Sequence, residues 1–176
     1  MWYAVQTLTG REEIILHMME KNIDHSCYRE CFYIRRECAA KKDGVWEITE
    51  LPLFPGYVFV DTENPEEYYC QLRRVPKLTK LLRTEDGVFL AVSAEEQHFL
   101  ENIQSEGHLV RRSLVHLDRD KQIIGAEGPL GLYLGDMVKQ RIRKRFVLIR
   151  KNFLGKERRI LLGIRLAEDP ETGGKA

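Results

Sequence analysis

The chain has 176 residues, 43% of them hydrophobic and 31% charged, with a formal net charge of +1. This is the composition of a folded protein rather than a disordered one, and the length suits one large domain or two small ones. No 18-residue apolar run is present to span a membrane, and the opening WYAVQTLTG lacks the basic start and long apolar middle of a secretion signal. A cytoplasmic protein is expected.

The near-zero net charge hides two unlike halves. Residues 1–106 carry twelve Lys and Arg against nineteen Asp and Glu, a balance of −7. Residues 107–176 carry sixteen against eight, a balance of +8. Such asymmetry points to nucleic-acid contact by the second half.

In chain order, WYAVQTL (2–8) reads as a strand closed by Thr9-Gly10. REEIILHMMEKN (11–22) has Ile14, Ile15, Met18 and Met19 at helical spacing, with Glu12 and Glu13 in the first turn, where the helix dipole favours them. ECFYIRREC (30–38) and GVWEITEL (44–51) alternate around KKDG, the pattern of a hairpin with an Asp-Gly turn. Within ELPLFPGYVFV (50–60), Pro52 and Pro55 cannot donate ladder hydrogen bonds, so the entry is an irregular edge where apolar side chains can remain exposed. GYVFVDT (56–62) is a strand whose Tyr57 and Phe59 share one face, with Phe59 left unassigned between core and surface.

Asn64 caps a helix that starts at Pro65 and runs towards Val75. TKLLRTEDGVFLAVS (79–93) reads as a short hairpin through Glu85-Asp86-Gly87, and Ser93 with Glu96 has the spacing of a capping box. Residues 105–113 resemble a linker. The remainder contains several short strands with glycine punctuation, as in a small, strongly bent barrel. It includes a hairpin over 145–166 that turns at Leu154-Gly155-Lys156. DPETGGKA (169–176) is expected to fray.

The cysteines are Cys27, Cys31, Cys38 and Cys70. The first three lie close to His25, but their spacing lacks the second paired knuckle of a structural zinc site, so reduced, partly buried thiols and no metal are expected. No phosphate-binding glycine loop, dinucleotide fingerprint, zinc-protease helix or nucleophile elbow is present, so the chain is read as having no enzymatic activity and no cofactor.

KQRIRKRFVLIRKNFLGKERR (139–159) holds ten basic residues and one acid, Glu157. On a strand, Arg141, Arg143 and Arg145 would share a face; on a helix, Lys139, Arg143 and Lys144 would cluster. Both readings stay open over 135–145. Lys151, Lys156, Arg158 and Arg159 add charge from the following hairpin. Interspersed signs are normal for an inert surface, whereas phosphates repay such a run through counterion release. With only Phe146 and Phe153 interleaved, structured RNA suits the run better than unpaired bases.

Together these segments resemble the NusG family of transcription elongation factors. WYAVQTLTG resembles that family's opening strand and turn, LPLFPGYVFV its Phe-Pro-Gly-Tyr strand, and YYCQLRRVPKLTKLLR the helix and loop that follow. GPLGLYLG and FLGKERRILLGIRL resemble the landmarks of its C-terminal KOW domain. The resemblance implies an α+β fold: a NusG-type α/β sandwich over 1–106, a linker over 107–116, a KOW domain of SH3-like barrel form over 117–170 and a tail over 171–176. It further implies docking on the clamp of RNA polymerase through Tyr3, Leu53, Phe54, Pro55 and Tyr57, with Arg73 and Arg74 facing the other pincer, so that pausing and termination are suppressed. Leu130 stands where the family has Phe, and the basic run replaces mixed charge. In this the chain is similar to LoaP, a specialised antiterminator branch of the family recruited through an RNA hairpin. Lys139, Arg141, Arg143, Lys144, Arg145, Lys151, Lys156 and Arg158 are then the expected RNA-binding residues. The expected partners are RNA polymerase, structured RNA in the nascent transcript and DNA of the transcription bubble, met by a monomer without a membrane. Two alternatives are a general elongation factor whose KOW domain binds a protein and a ribosome-associated KOW protein.

Overall fold

The computed structural model describes residues 1–75, 80–81, 83–85 and 87–171. The elements in chain order are β1 (Trp2–Gln6), α1 (Glu12–Asn22), β2 (Glu30–Phe32), β3 (Arg35–Lys42), β4 (Val45–Pro52), β5 (Tyr57–Asp61) and α2 (Pro65–Leu72). They continue as β6 (Lys80–Leu81), α3 (Ala94–Ile103), β7 (Leu109–Val110), β8 (Ser113–Leu117), β9 (Ile123–Glu127), β10 (Met137–Arg141), β11 (Phe146–Phe153) and β12 (Lys156–Arg165). The fold is thus mixed α+β. It divides into two units: Met1–Ile34 with Phe54–His98, and Arg35–Leu53 with the residues from Phe99 on.

The first unit has a four-stranded sheet ordered β2-β5-β1-β6, with β1 antiparallel to β5 and Ala4 opposite Phe59. Ile15 and Met19, four residues apart on α1, are buried with Val5, Val58, Val60, Tyr68 and Leu72, while Ile14 on the next face is exposed. Each such side chain contributes about 1.5–3 kcal/mol when withdrawn from water. The caps follow the sequence. Asn64 Oδ1 accepts from the Glu67 N–H at 3.2 Å, and Ser93 and Glu96 exchange the reciprocal bonds of a capping box at 2.8 and 3.2 Å. Cys31 Sγ lies 3.2 Å from the Tyr68 hydroxyl, and burial pushes its thiol pKa up to about 12, as expected of an unreactive core cysteine.

In the second unit, β4-β3-β7 forms one sheet and β10-β11-β12-β8-β9 another. Gln140 on β10 links the two edges of the larger sheet: its Oε1 accepts from the Ile123 N–H at 3.0 Å and its Nε2 donates to the Lys121 carbonyl at 2.9 Å. These bonds close a small barrel around Leu130, Val147, Ile149, Phe153, Ile160, Leu162 and Ile164, all buried. β3 lies close against β12 at Gly163, where a Cβ would collide with the Glu37 carbonyl oxygen, so any side chain there would push the hairpin away.

Three expectations change. The strand read at 30–38 is two strands: β2 pairs with β5, and after Tyr33 and Ile34 the chain enters β3, which pairs with β4 and β7 in another sheet. The linker read at 107–116 instead holds β7 and most of β8, with Val110, Arg112 and Ser113 buried; β7 runs parallel to β3, and β8 parallel to β12. Asp169, read as the start of the frayed tail, is instead buried. The hairpin read over 79–93 retains an Arg83–Phe89 bridge, while Thr79, Leu82 and Asp86 lie outside the described residues, as do residues 172–176 of the tail.

Candidate functional site

The Pro-Gly turn is built from the inside. Gly56 has φ +82°, a conformation in which a β-carbon is strained, and its N–H donates to Glu12 Oε1 at 2.7 Å. Glu12 also accepts from the Gly10 N–H at 3.1 Å and is itself buried. Thr7 N–H donates to the Gly56 carbonyl at 2.8 Å, and Tyr57 N–H to Phe54 O at 3.1 Å. One buried carboxylate therefore fastens the first-strand loop and the Pro-Gly turn together. Its role exceeds the dipole contact inferred from its place in the first turn of α1.

Of the residues expected to form an exposed docking patch, Tyr3, Leu53 and Phe54 are core, which corrects that expectation. The Phe54 ring meets Phe59 edge-on at 6.1 Å, and Phe59 is wholly buried, which settles its assignment. Pro55 is exposed and Tyr57 half-buried, so the outward part of the turn is narrower than the sequence implied. Burial, followed by the Glu63 charge, raises the Tyr3 pKa. Arg73 and Arg74 are exposed directly after α2, Val75 is buried, and Pro76 to Thr79 lie outside the described residues.

The basic run is resolved as strand, turn, strand. β10 ends at Arg141, residues Ile142–Lys144 make a 3-10 turn, and Arg145 takes a left-handed conformation at φ +54° before β11. The alternation that would align Arg141, Arg143 and Arg145 is therefore absent. Arg145 is tied inward: Nε and Nη2 donate to Asp169 at 2.5 and 2.8 Å, Nη1 donates to the Ile142 carbonyl at 2.7 Å, and the guanidinium lies 4.7 Å from the centroid of Trp46. With both partners almost completely buried, this bidentate pair holds the turn. Burial opposes the charge on Asp169, but hydrogen bonds from Arg145 and the Leu166 N–H, with the charges of Arg145 and Arg112, outweigh it and lower its pKa.

Lys151 is also occupied, paired with Asp136 at 2.7 Å and set over the rings of Tyr133 and Phe99 at 4.6 and 5.4 Å. Arg158 is half-buried and donates to the Phe153 carbonyl at 3.2 Å. Arg145, Lys151 and Arg158 thus serve the fold, a correction to their expected place on an open RNA surface. Lys139, Arg141, Arg143, Lys144 and Lys156 remain exposed and, among the described residues, have no ion-pair partner.

Register adds a pairing that sequence reasoning did not draw, although it named Arg159 as part of the charge. Arg150 on β11 stands directly opposite Arg159 on β12, both exposed, and among the described residues the one acid near the pair is Glu157, 4.0 Å from Arg150. Like charges at opposed positions destabilise a ladder, and an anion between them relieves the repulsion. Lys139 opposes Leu148 on the same outward face, which continues to Leu161. A period-two count from the Leu154-Gly155 turn was the available signal.

Comparison with known proteins identifies the family. The model of the family described as "Transcription termination factor nusG" matches residues 1–101 of the 176. The chain belongs to the NusG family. It is 31% identical over 88 residues to the transcription termination/antitermination protein NusG of Thermus thermophilus, a match covering 44% of this chain and 48% of that protein. The chain thus spans about half the length of that relative. It is 18% identical over 160 residues to the protein of the same name from Helicobacter pylori, covering 88% and 90%. A solved structure titled "Domain interaction in Thermotoga maritima NusG" aligns over 92% of both chains at 18% identity with a TM-score of 0.46. The family and both relatives carry the names of transcription termination or antitermination proteins. No helix among the described residues is long and apolar enough to cross a membrane, and no group of three or more His, Cys, Asp or Glu among them could hold a metal ion.

Proposed function

We propose that this chain is an antitermination factor of the LoaP kind: it binds RNA polymerase through its N-terminal segments and is recruited to particular transcripts by a structured RNA element held on the basic β10–β11 turn. The single observation that carries this reading is the cluster Lys139, Arg141, Arg143 and Lys144. These four cations are exposed around one tight turn and uncompensated among the described residues. A turn that projects cations without acids between them suits a phosphate track, and each phosphate it neutralises releases counterions. The Arg150–Arg159 pair extends the charge along the neighbouring strands. Polymerase docking is assigned to Pro55 and Tyr57, the outward part of the Pro-Gly turn, with Arg73 and Arg74 at the end of α2. Bridging two sides of a clamp would suppress its opening by shifting a population, with no bond made or broken.

The test is a transcription assay across an intrinsic terminator with the full chain and templates differing in their leader RNA. Read-through that rises only with one leader, and falls when Arg143 and Lys144 are changed to Glu, is the expected result. Read-through independent of the leader favours a general elongation factor whose barrel binds a protein. That second reading is supported by exposed Ile124 and Leu132 on the C-terminal module, 66% and 75% accessible.

A further inference from the structure

The basic turn has a neighbour from far earlier in the sequence. Lys41 and Trp46 oppose each other across the β3–β4 ladder and so share a face with Glu37, Ala39 and Ile48. That face is turned to the barrel, since the Glu37 main chain lies over Gly163 and the guanidinium of Arg145 lies over Trp46. Lys41 Nζ approaches the same indole at 5.9 Å. Because Arg145 also donates to the Ile142 carbonyl at 2.7 Å, the indole stands beside the turn that exposes Arg143 and Lys144.

We infer that the tip of the β3–β4 hairpin belongs to the RNA-binding surface, with Lys41 contacting phosphates of the same RNA stem that the β10–β11 turn grips, Trp46 positioning Lys41 for it, and Lys42, which alternation sends to the other face of the strand, adding charge at the tip. Both lysines are exposed and, among the described residues, neither has an ion-pair partner. Arg145 has its charge compensated by Asp169, but among the described residues no acid compensates Lys41 and Lys42 or the exposed cations beside them. A fold that brings two positive clusters together bears their mutual repulsion until a polyanion occupies both. The Asp43-Gly44 turn, with φ +49° and +85°, fixes the register that sets Lys41 opposite Trp46, so the arrangement is preformed rather than assembled by the ligand. Trp46 already has cations over its ring and is poorly placed to stack an unpaired base, which favours recognition of a helical stem by its backbone and shape.

This inference rests on the RNA-binding reading above, and the experiment separates the two. The full chain is titrated with a fluorescein-labelled RNA stem-loop of about 12 base pairs at salt concentrations between about 50 and 200 mM. R143E/K144E should raise Kd by more than about tenfold, and K41E/K42E by about three- to tenfold, with the salt slope reduced by about one for each phosphate no longer neutralised. K41R/K42R should restore the wild-type slope, and Trp46 emission should change on binding, while Trp46→Phe should weaken binding less than K41E/K42E. Unchanged circular dichroism melts confirm that these surface changes leave the fold alone. If R143E/K144E weakens binding but K41E/K42E leaves Kd and slope unchanged, the hairpin inference is overturned and the RNA reading stands. If neither variant changes binding, both are overturned. Binding of polyglutamate with the same affinity and the same dependence on Lys41 would also overturn it, in favour of an acidic protein partner.

Discussion

Two tight turns, Phe54–Tyr57 and Ile142–Arg145, both stood out in the sequence as binding surfaces, and the structure treats them in opposite ways. Each needs one residue with positive φ, Gly56 at +82° and Arg145 at +54°. In the first, the apolar side chains mostly turn inward, leaving Pro55 exposed and Tyr57 half-covered. In the second, only Arg145 is drawn in, and it enters with a carboxylate partner. The contrast follows from desolvation. An apolar ring gains by burial wherever the backbone allows it, whereas a cation goes inside only if a counter-charge and hydrogen bonds receive it. A run of aromatics is therefore a weaker sign of an open surface than a run of unpaired cations.

The comparison can be broken most forcefully at Arg145. Changing it to Ala strands the buried Asp169 carboxylate, and unfolding stability should fall by about 3–5 kcal/mol, read from urea or thermal melts. A drop smaller than about 1 kcal/mol would show that the pair does not hold the turn. At the other turn, Glu12→Ala removes the acceptor shared by the Gly56 and Gly10 amides and should cost about 1–3 kcal/mol in the same melts. An unchanged melt would mean that water or another group satisfies both amides.

The pH dependence sharpens the point about the buried pair. The folded pKa of Asp169 lies below its unfolded value, so the stability it contributes is fully present above the usual carboxylate pKa of about 3.9 and is lost as the pH falls through the lower folded value. The stability difference between wild type and Asp169→Asn should shrink steadily below about pH 4. A difference independent of pH would remove Asp169 from the account. The smallest stability effect is expected at the open cations: Arg143→Ala with Lys144→Ala should change unfolding by no more than about 0.5 kcal/mol while weakening RNA binding. Loss of folding would place those side chains inside instead.

Much of the local structure was legible in the sequence. Asn64 followed by Pro65, Ser93 with Glu96, and Asp43-Gly44 each carry their own turn or cap chemistry within a few residues, and each appears as expected. The break at Tyr33–Ile34 was not legible, because both flanking stretches alternate like strands and only their partners differ. The parallel pairings of β7 with β3 and β8 with β12 were hidden for the same reason: SEGHLVRRS has no period of its own, and its order comes from neighbours distant in sequence. Asp169 sat in what read as a polar tail, and only its meeting with Arg145 makes it structural.

For the candidate site, the sequence by itself determined that positive charge is concentrated around 139–159 and that a Pro-Gly turn of unusual apolarity enters β5, since composition and turn chemistry are local properties. The tertiary structure decided which of those side chains remain available. Arg145, Lys151 and Arg158 are engaged by the fold, Phe54 and Leu53 are buried, and Lys41 with Trp46 is brought beside a turn about a hundred residues away. The reason is that availability depends on partners: whether a cation meets a carboxylate, or a ring meets a core, is set by packing between distant segments that no local pattern encodes.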